Sequence, residues 1–213
     1  MRWKKISDAV IRRLPLYLRV LDELANDPNT QLISSQDLGV RAGVGPALVR
    51  KDLAWFGEFG KQGVGYEVKF LRDELRRILN LDSEIKIAIV GAGSLGAAFA
   101  RYAHKRYADD SSFNLNVVAL FDNDPGKVGT EIDGIPVYSA NEMQERVREL
   151  QIHMAIIAVP SEQAQTTADR LVAAGVKAIL NFAPVKINVP EGVHLASADL
   201  SLELQCLAYY LRD

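Results

Sequence analysis

A largely apolar run, Ile85-Lys86-Ile87-Ala88-Ile89-Val90, leads straight into Gly91-Ala92-Gly93-Ser94-Leu95-Gly96. A buried strand feeding a Gly-x-Gly-x-x-Gly turn commits the chain to a βαβ unit. The turn sets free backbone N–H groups at a helix N-terminus, where a dinucleotide pyrophosphate is held. The pattern continues as a predicted helix at 95–107, strand at 117–121, helix at 142–150, strand at 155–159, helix at 162–174 and strand at 178–182. Near-continuous apolar strands in such alternation imply a parallel sheet covered on both faces. Asp122 closes the second strand, 26 residues beyond Gly96. A carboxylate there accepts hydrogen bonds from the adenosine ribose hydroxyls and repels a 2′-phosphate, which favours NAD(H) over NADP(H). The segment Gly126-Lys127-Val128-Gly129-Thr130 lacks the spacing of a phosphate loop and reads as a turn.

About eighty residues precede this unit, and they carry different signals. Residues 6–25 place Val10, Leu14, Leu18, Leu21 and Leu24 at helical spacing, with Pro15 inside the pattern implying a kink or restart. Asn26-Asp27-Pro28-Asn29 reads as a stop. Ser34 is an N-cap candidate with Asp37 as its short capping partner, so Ser34-Ser35 opens a second helix. Gly43-Val44-Gly45 ends that helix and Pro46 starts a third, expected over 46–56. Two short helices across a glycine turn make a helix-turn-helix, whose second helix enters the major groove and places Arg50 and Lys51 at bases or phosphates. Trp55 and Phe56 are expected to pack against the first helix. Residues 57–66, with Lys61, Gly63, Gly65 and Tyr66, suit a tight β-wing along the DNA backbone or minor groove.

Overall charge conceals this division. The formal net charge is −2, yet residues 1–80 hold 14 Lys+Arg against 10 Asp+Glu, a net of +4, and the rest hold 11 against 17, a net of −6. A basic head on an acidic body suits a chain of which one part touches phosphate. No apolar run approaches the ~18 residues needed to span a bilayer, and the start resembles neither a signal nor a transit peptide. A single cysteine, Cys206, excludes an internal disulfide and fits a reducing compartment, so the protein is expected to be cytoplasmic. Cys206 itself is expected to be a packing residue. The histidines and the lone cysteine form no metal-ligand set. Residues 200–211 leave little polar face, so this last helix is expected to be buried on several sides.

Several segments carry a family resemblance: Arg13-Leu14-Pro15-Leu16-Tyr17, Ile33-Ser34-Ser35, the run at 49–57, the run at 60–66, the glycine turn, the run at 175–184, and Asn188-Val189-Pro190. Together they resemble the Rex family of bacterial redox-sensing repressors, over nearly the whole chain. The resemblance implies an α/β protein in three parts. These are a winged-helix DNA-binding domain at 1–80, a Rossmann domain at 81–199 binding NADH and NAD+, and a C-terminal helix at 200–213 exchanged between the subunits of a homodimer. It implies operator DNA as partner and regulation, not catalysis, as the use of the dinucleotide. It also implies a switch in which Asp199 pairs with Arg19 in one state and with Tyr102 of the other subunit in the other. Val159-Pro160 and Phe182-Ala183-Pro184, at the carboxyl ends of strands, are the natural nicotinamide walls.

Two alternatives stand beside this reading. An NAD-dependent oxidoreductase needs an acid–base residue by the nicotinamide, but His104, His153 and His194 have no evident partner carboxylate, and about thirty residues after the Rossmann core are too few for a substrate domain. A regulator answering to another nucleotide, such as coenzyme A, is disfavoured only weakly by Asp122.

Overall fold

The computed structural model describes residues 6–25, 27, 29–110 and 113–211; the basic start at 1–5, and Asn26 and Pro28 of the expected stop, lie outside them. The chain divides into two compact units, Met1–Ser83 and Glu84–Asp213.

The first unit starts with α1 (Asp8–Ala25), which runs through Pro15 without a restart and buries Val10, Leu14, Tyr17, Leu18, Leu21 and Leu24 along one face. A two-residue strand β1 (Leu32–Ile33) precedes α2 (Ser35–Ala42). The Ser34 hydroxyl accepts the Asp37 N–H at 3.0 Å and donates to its carboxylate at 2.6 Å, as the capping pattern predicts. Helix α2 closes on Gly43, and α3 (Pro46–Leu53) begins with its proline in the first turn. Strands β2 (Gly60–Lys61) and β3 (Gly65–Glu67) form the wing hairpin, and β3 also pairs with β1.

Helix α4 (Val68–Ile78) is an addition to the sequence reading. It buries Val68, Leu71 and Leu75 and ties to α1 through Arg76 and Asp22 at 3.6 Å. The expected third helix ends at Leu53 rather than 56. Phe56 packs partly against the core as expected, whereas Trp55 is 43% exposed, contrary to expectation. Past Leu53 the chain leaves the helix in a turn, which takes Trp55 off the inward face that Val49 and Leu53 define.

The second unit is a seven-stranded sheet, built from β4 (Ile85–Val90), β5 (Leu115–Asp122), β6 (Glu131–Ile132), β7 (Ile135–Ser139), β8 (Met154–Ile157), β9 (Ala178–Asn181) and β10 (His194–Ser197). Their spatial order is β10-β9-β8-β4-β5-β7-β6, all parallel except the edge strand β6. Without β6 this is the doubly wound Rossmann order, with the direction of winding reversing between β4 and β8. Helix α5 (Ser94–Asp109) covers one face, while α6 (Met143–Glu149) and α7 (Ser161–Ala174) cover the other. Ile87 and Ile89 face the α5 layer and Ala88 and Val90 face the α6–α7 layer, so β4 is apolar on both sides.

Strand β8 is shorter than the expected 155–159, and Ala158 and Val159 leave it as a loop. The β6–β7 hairpin turns on Asp133 and Gly134, both with positive φ (49° and 79°) as a type I′ turn requires.

Helix α8 (Leu200–Ala208) continues as a short 3-10 turn to Leu211. The expectation of burial fails within the chain, because none of its residues is buried. Leu204 is 67% exposed and Tyr210 77%. The body presents this helix with no apolar face of its own, and Cys206 is exposed with it rather than packed.

Candidate functional site

A cavity of about 590 Å³ opens at the carboxyl ends of β4 and β8, where the winding reverses. Gly91, Gly93, Asp122, Val159 and Pro160, which the sequence reading assigns to the dinucleotide, line it. The three glycines of the turn have different physical reasons. Gly91 has φ +102°, and a Cβ there would lie 2.3 Å from the Ala158 carbonyl oxygen. At Gly96 a Cβ would lie 1.9 Å from the Gly91 oxygen, so that glycine lets α5 close onto the turn. Gly93 is unlike both: its φ is an ordinary −75°, and a Cβ there meets nothing within 4 Å. The protein's own packing does not require a glycine at 93, yet this residue caps α5 and faces the cavity. It leaves room for a group that approaches the backbone closely, as a pyrophosphate does.

Asp122 ties the end of β5 to this turn. Its Oδ2 accepts the Ala92 N–H at 2.8 Å and its Oδ1 the Asp124 N–H at 2.8 Å. Burial works against the charge, but those two N–H groups and the Lys127 ammonium outweigh it and hold the carboxyl below its ordinary range. Asp122 is therefore a carboxylate at neutral pH.

The other expected residues fall around the cavity instead of along its wall. Ala92 and Gly96 are buried in the turn, and Ser94 and Leu95 begin α5 with exposed side chains. Phe182, Ala183 and Pro184 lie outside the lining. The fully buried Asn181 folds their segment back, donating to the Ala183 and Val185 oxygens at 3.0 Å each and accepting the Ala183 N–H at 2.9 Å. Phe182 then packs at a tilt against Phe99, which does the same against Tyr102, with centroids 6.0 and 6.2 Å apart. Sequence reasoning missed the α7 contributors Glu162, Thr166 and Arg170. It also set aside the turn that brings Lys127 into the cavity.

In the first unit a groove of about 800 Å³ lies between α3 and the wing. Ser34, Ser35, Arg50, Lys61, Gly63, Gly65 and Tyr66 line it, so seven residues chosen from sequence meet on one surface. Pro46 and Lys51 stand outside this lining, Pro46 half-buried and Lys51 exposed. Arg50 donates to the Ser35 hydroxyl at 2.9 Å. Burial pushes the Tyr66 phenol up, with the Arg50 charge only partly opposing it, so Tyr66 keeps a proton to donate. Cations and hydroxyls thus share this face with one carboxylate, Glu58; such cations and hydroxyls are the groups that contact phosphate in protein–DNA interfaces.

Helix α3 is fixed from below. Asp52 is 1% exposed and takes a fork from Arg13, Nε at 2.6 Å and Nη2 at 2.7 Å, together with the Tyr17 hydroxyl at 2.7 Å. Both donors come from α1. The expected switch residues are solvent-accessible to differing degrees: Arg19 is exposed on α1, and the Tyr102 hydroxyl accepts from Arg106 at 3.0 Å. Asp199 caps α8 through the Ser201 N–H at 2.9 Å and the Ser201 hydroxyl. Those bonds from Ser201 hold the Asp199 carboxyl low.

A winged helix-turn-helix unit and a Rossmann unit with a built nucleotide cavity define a DNA-binding regulator with its own nucleotide receptor. Comparison with known proteins agrees at every level. Residues 5–54 match a family model described as a putative DNA-binding protein N-terminus, and residues 82–185 one described as a CoA binding domain. The redox-sensing transcriptional repressor Rex of Brevibacillus brevis is 47% identical, covering 98% of each chain. The repressor of the same name from Streptomyces coelicolor is 43% identical over 98% of this chain and 79% of its own. A crystal structure of RSP with β-NAD+ and operator DNA superposes with a TM-score of 0.89 at 39% identity, covering 98% of this chain and 93% of that one. RSP with β-NADH gives 0.83 at 37%, covering 98% and 95%. The chain belongs to the Rex family of redox-sensing transcriptional repressors. Its relatives are named as repressors, not as oxidoreductases.

Proposed function

We propose that this protein represses transcription by binding operator DNA through α3 and the wing, and that NADH releases it. The observation that carries the nucleotide half is Gly93, a cavity-facing glycine with an ordinary backbone and open space where its side chain would be. On this reading the pyrophosphate lies on Gly93 and the α5 N-terminus, and Asp122 faces the adenosine ribose. Val159, Pro160 and, further on, Phe182, Ala183 and Pro184 surround the nicotinamide. Oxidised nicotinamide carries a positive charge and the reduced ring does not, so an apolar pocket penalises NAD+ more than NADH by desolvation.

The exposed leucines of α8 and tyrosines of the turn after it support a homodimer in which this segment packs on a second copy, because so large an apolar surface marks an interface. Two heads read successive major grooves only at roughly 34–36 Å separation or a multiple of it. A dimer that closes on NADH moves its heads out of that spacing. Arg19, Tyr102 and Asp199 are the residues to which we assign the switch: Asp199 with Arg19 in one state, with Tyr102 of the partner in the other. A cytoplasmic location fits both partners, DNA and the dinucleotide pool; among the described residues no helix is long and apolar enough to cross a membrane.

The test is a gel shift on the DNA upstream of the protein's own gene, with saturating NADH in one lane and NAD+ in another. Release by NADH alone is the expected outcome. Equal binding in both would remove the redox sensing and leave the fold assignment intact.

A further inference from the structure

Asp122 is not free to act alone. Lys127 Nζ lies 3.2 Å from Asp122 Oδ2 and 3.8 Å from Asp124 Oδ2, and Lys127 is itself part of the cavity wall. A carboxylate offers about four acceptor positions. Protein donors already fill three at Asp122: the Ala92 N–H and Lys127 on Oδ2, and the Asp124 N–H on Oδ1. Two ribose hydroxyls cannot both bond to it unless Lys127 moves away. The lysine can do so at low cost, since its side chain is 39% exposed and its partner pair is exchangeable with water. The Ala92 and Asp124 contacts come from the backbone and stay.

Among the described residues the charges facing the cavity are Asp122, Glu162, Lys127 and Arg170, with Asp124 just behind the lysine. Arg170 is directed to the Ala140 carbonyl. Lys127 is thus the cation beside the carboxylate that is expected to repel a ribose phosphate.

We propose that Lys127 sets the nucleotide specificity of this site: it offsets Asp122 and gives the pocket a measurable affinity for dinucleotides bearing a phosphomonoester on the adenosine ribose. Toward NADH the lysine is nearly neutral, because leaving Asp122 costs what the ribose bond returns. Toward a ribose phosphate it is the donor and counter-charge, and Asp122 alone would repel the group. The inference rests on the dinucleotide reading of the cavity.

The experiment is fluorescence titration of the full-length protein with NADH and competition by NADPH, for the wild type, Lys127→Ala and Lys127→Arg. The wild type is expected to bind NADPH more weakly than NADH but measurably. In Lys127→Ala, NADPH affinity falls roughly ten- to a hundredfold, the effect of losing one charge-assisted hydrogen bond, while NADH affinity changes less than about threefold. Lys127→Arg restores NADPH binding. Equal weakening of both ligands, no change in either, or a wild type on which millimolar NADPH never competes each overturns the proposal. Failure of the wild type to bind NADH removes the dinucleotide reading itself, and the NADH arm reports that separately.

Discussion

Three glycines of one turn respond differently to the same methyl group. At Gly91 a Cβ meets a carbonyl oxygen at 2.3 Å and the backbone has φ +102°, so Gly91→Ala is expected to destabilise the fold by roughly 2–4 kcal/mol. Gly96→Ala, with 1.9 Å to the Gly91 oxygen, belongs with it. Gly93→Ala has space and an ordinary φ, so its thermal midpoint should fall little, by the roughly 1 kcal/mol of a poorer N-cap. Its NADH affinity should nevertheless fall by tenfold or more, since the methyl stands where the pyrophosphate would lie. Calorimetry and NADH titration on the three variants check this; a Gly93→Ala protein that binds NADH normally removes the cradle from that residue. Asp122→Ala should narrow the preference for NADH over NADPH by lifting the repulsion, though it also unties the Ala92 N–H, so both affinities are expected to drop. An unchanged ratio would take Asp122 out of specificity.

The joint between α1 and α3 is an element-scale device. Asp52 is a buried charge held by Arg13 and Tyr17, and removing one partner of such a pair costs about 3–5 kcal/mol. Arg13→Ala is expected to lie at the lower end, because its side chain is 22% exposed and water can reach the vacated site. Burial opposes the Asp52 charge, but the bonds from Arg13 and Tyr17 prevail and its carboxyl is held low; the Tyr17 phenol is pushed up by burial first and Asp52 second. A lowered acid contributes stability above its unfolded value, near 3.9, and loses it as pH falls through the folded value. A raised phenol contributes below about 10 and loses it as pH rises through the folded value. The joint's contribution should therefore be flat between about pH 4 and 10. Chemical denaturation of wild type and Asp52→Asn across that range measures it; a difference that varies strongly between pH 5 and 9 contradicts the assignment. Much at this scale was legible in the sequence. The glycine turn, the alternating strands, the Ser34 cap and the short α2–α3 turn are local patterns, decided within a few residues. Helix α4 and the Asp133–Gly134 hairpin carried signals of the same kind, at Val68, Leu71 and Leu75 and in the Asp-Gly pair. Other features were not local. That Trp55 turns outward, that Asp52 is buried on the inner face of α3, and that Lys127 folds back over Asp122 depend on how distant segments meet.

For the molecule as a whole, the site residues divide into those complete within one chain and those that are not. The cavity at Gly93 and Asp122 is formed by one chain, as is the groove at Arg50 and Tyr66. Helix α8 with the turn after it is not, its large apolar side chains ranging from 56% exposed at Leu202 to 83% at Leu211. The sequence leads one to expect this helix to be covered, and among the described residues it is not. If a second copy covers it, dimerisation and DNA binding are linked, while the cavity is lined by one chain and is coupled to the dimer only through its closure. Linking two heads raises operator affinity by roughly 10² to 10⁴ through effective concentration alone. Leu204→Glu with Leu207→Glu puts two charges on that surface without shortening the chain. Light scattering should then report a monomer, and affinity for a two-half-site operator should fall about a hundredfold or more. The slope of log affinity against log salt should roughly halve, because one head contacts half the phosphates. NADH affinity should stay within several-fold of the wild type. A double variant that remains dimeric with unchanged operator affinity would show that α8 serves neither, and one that loses NADH binding equally would place part of the nucleotide site across the two copies.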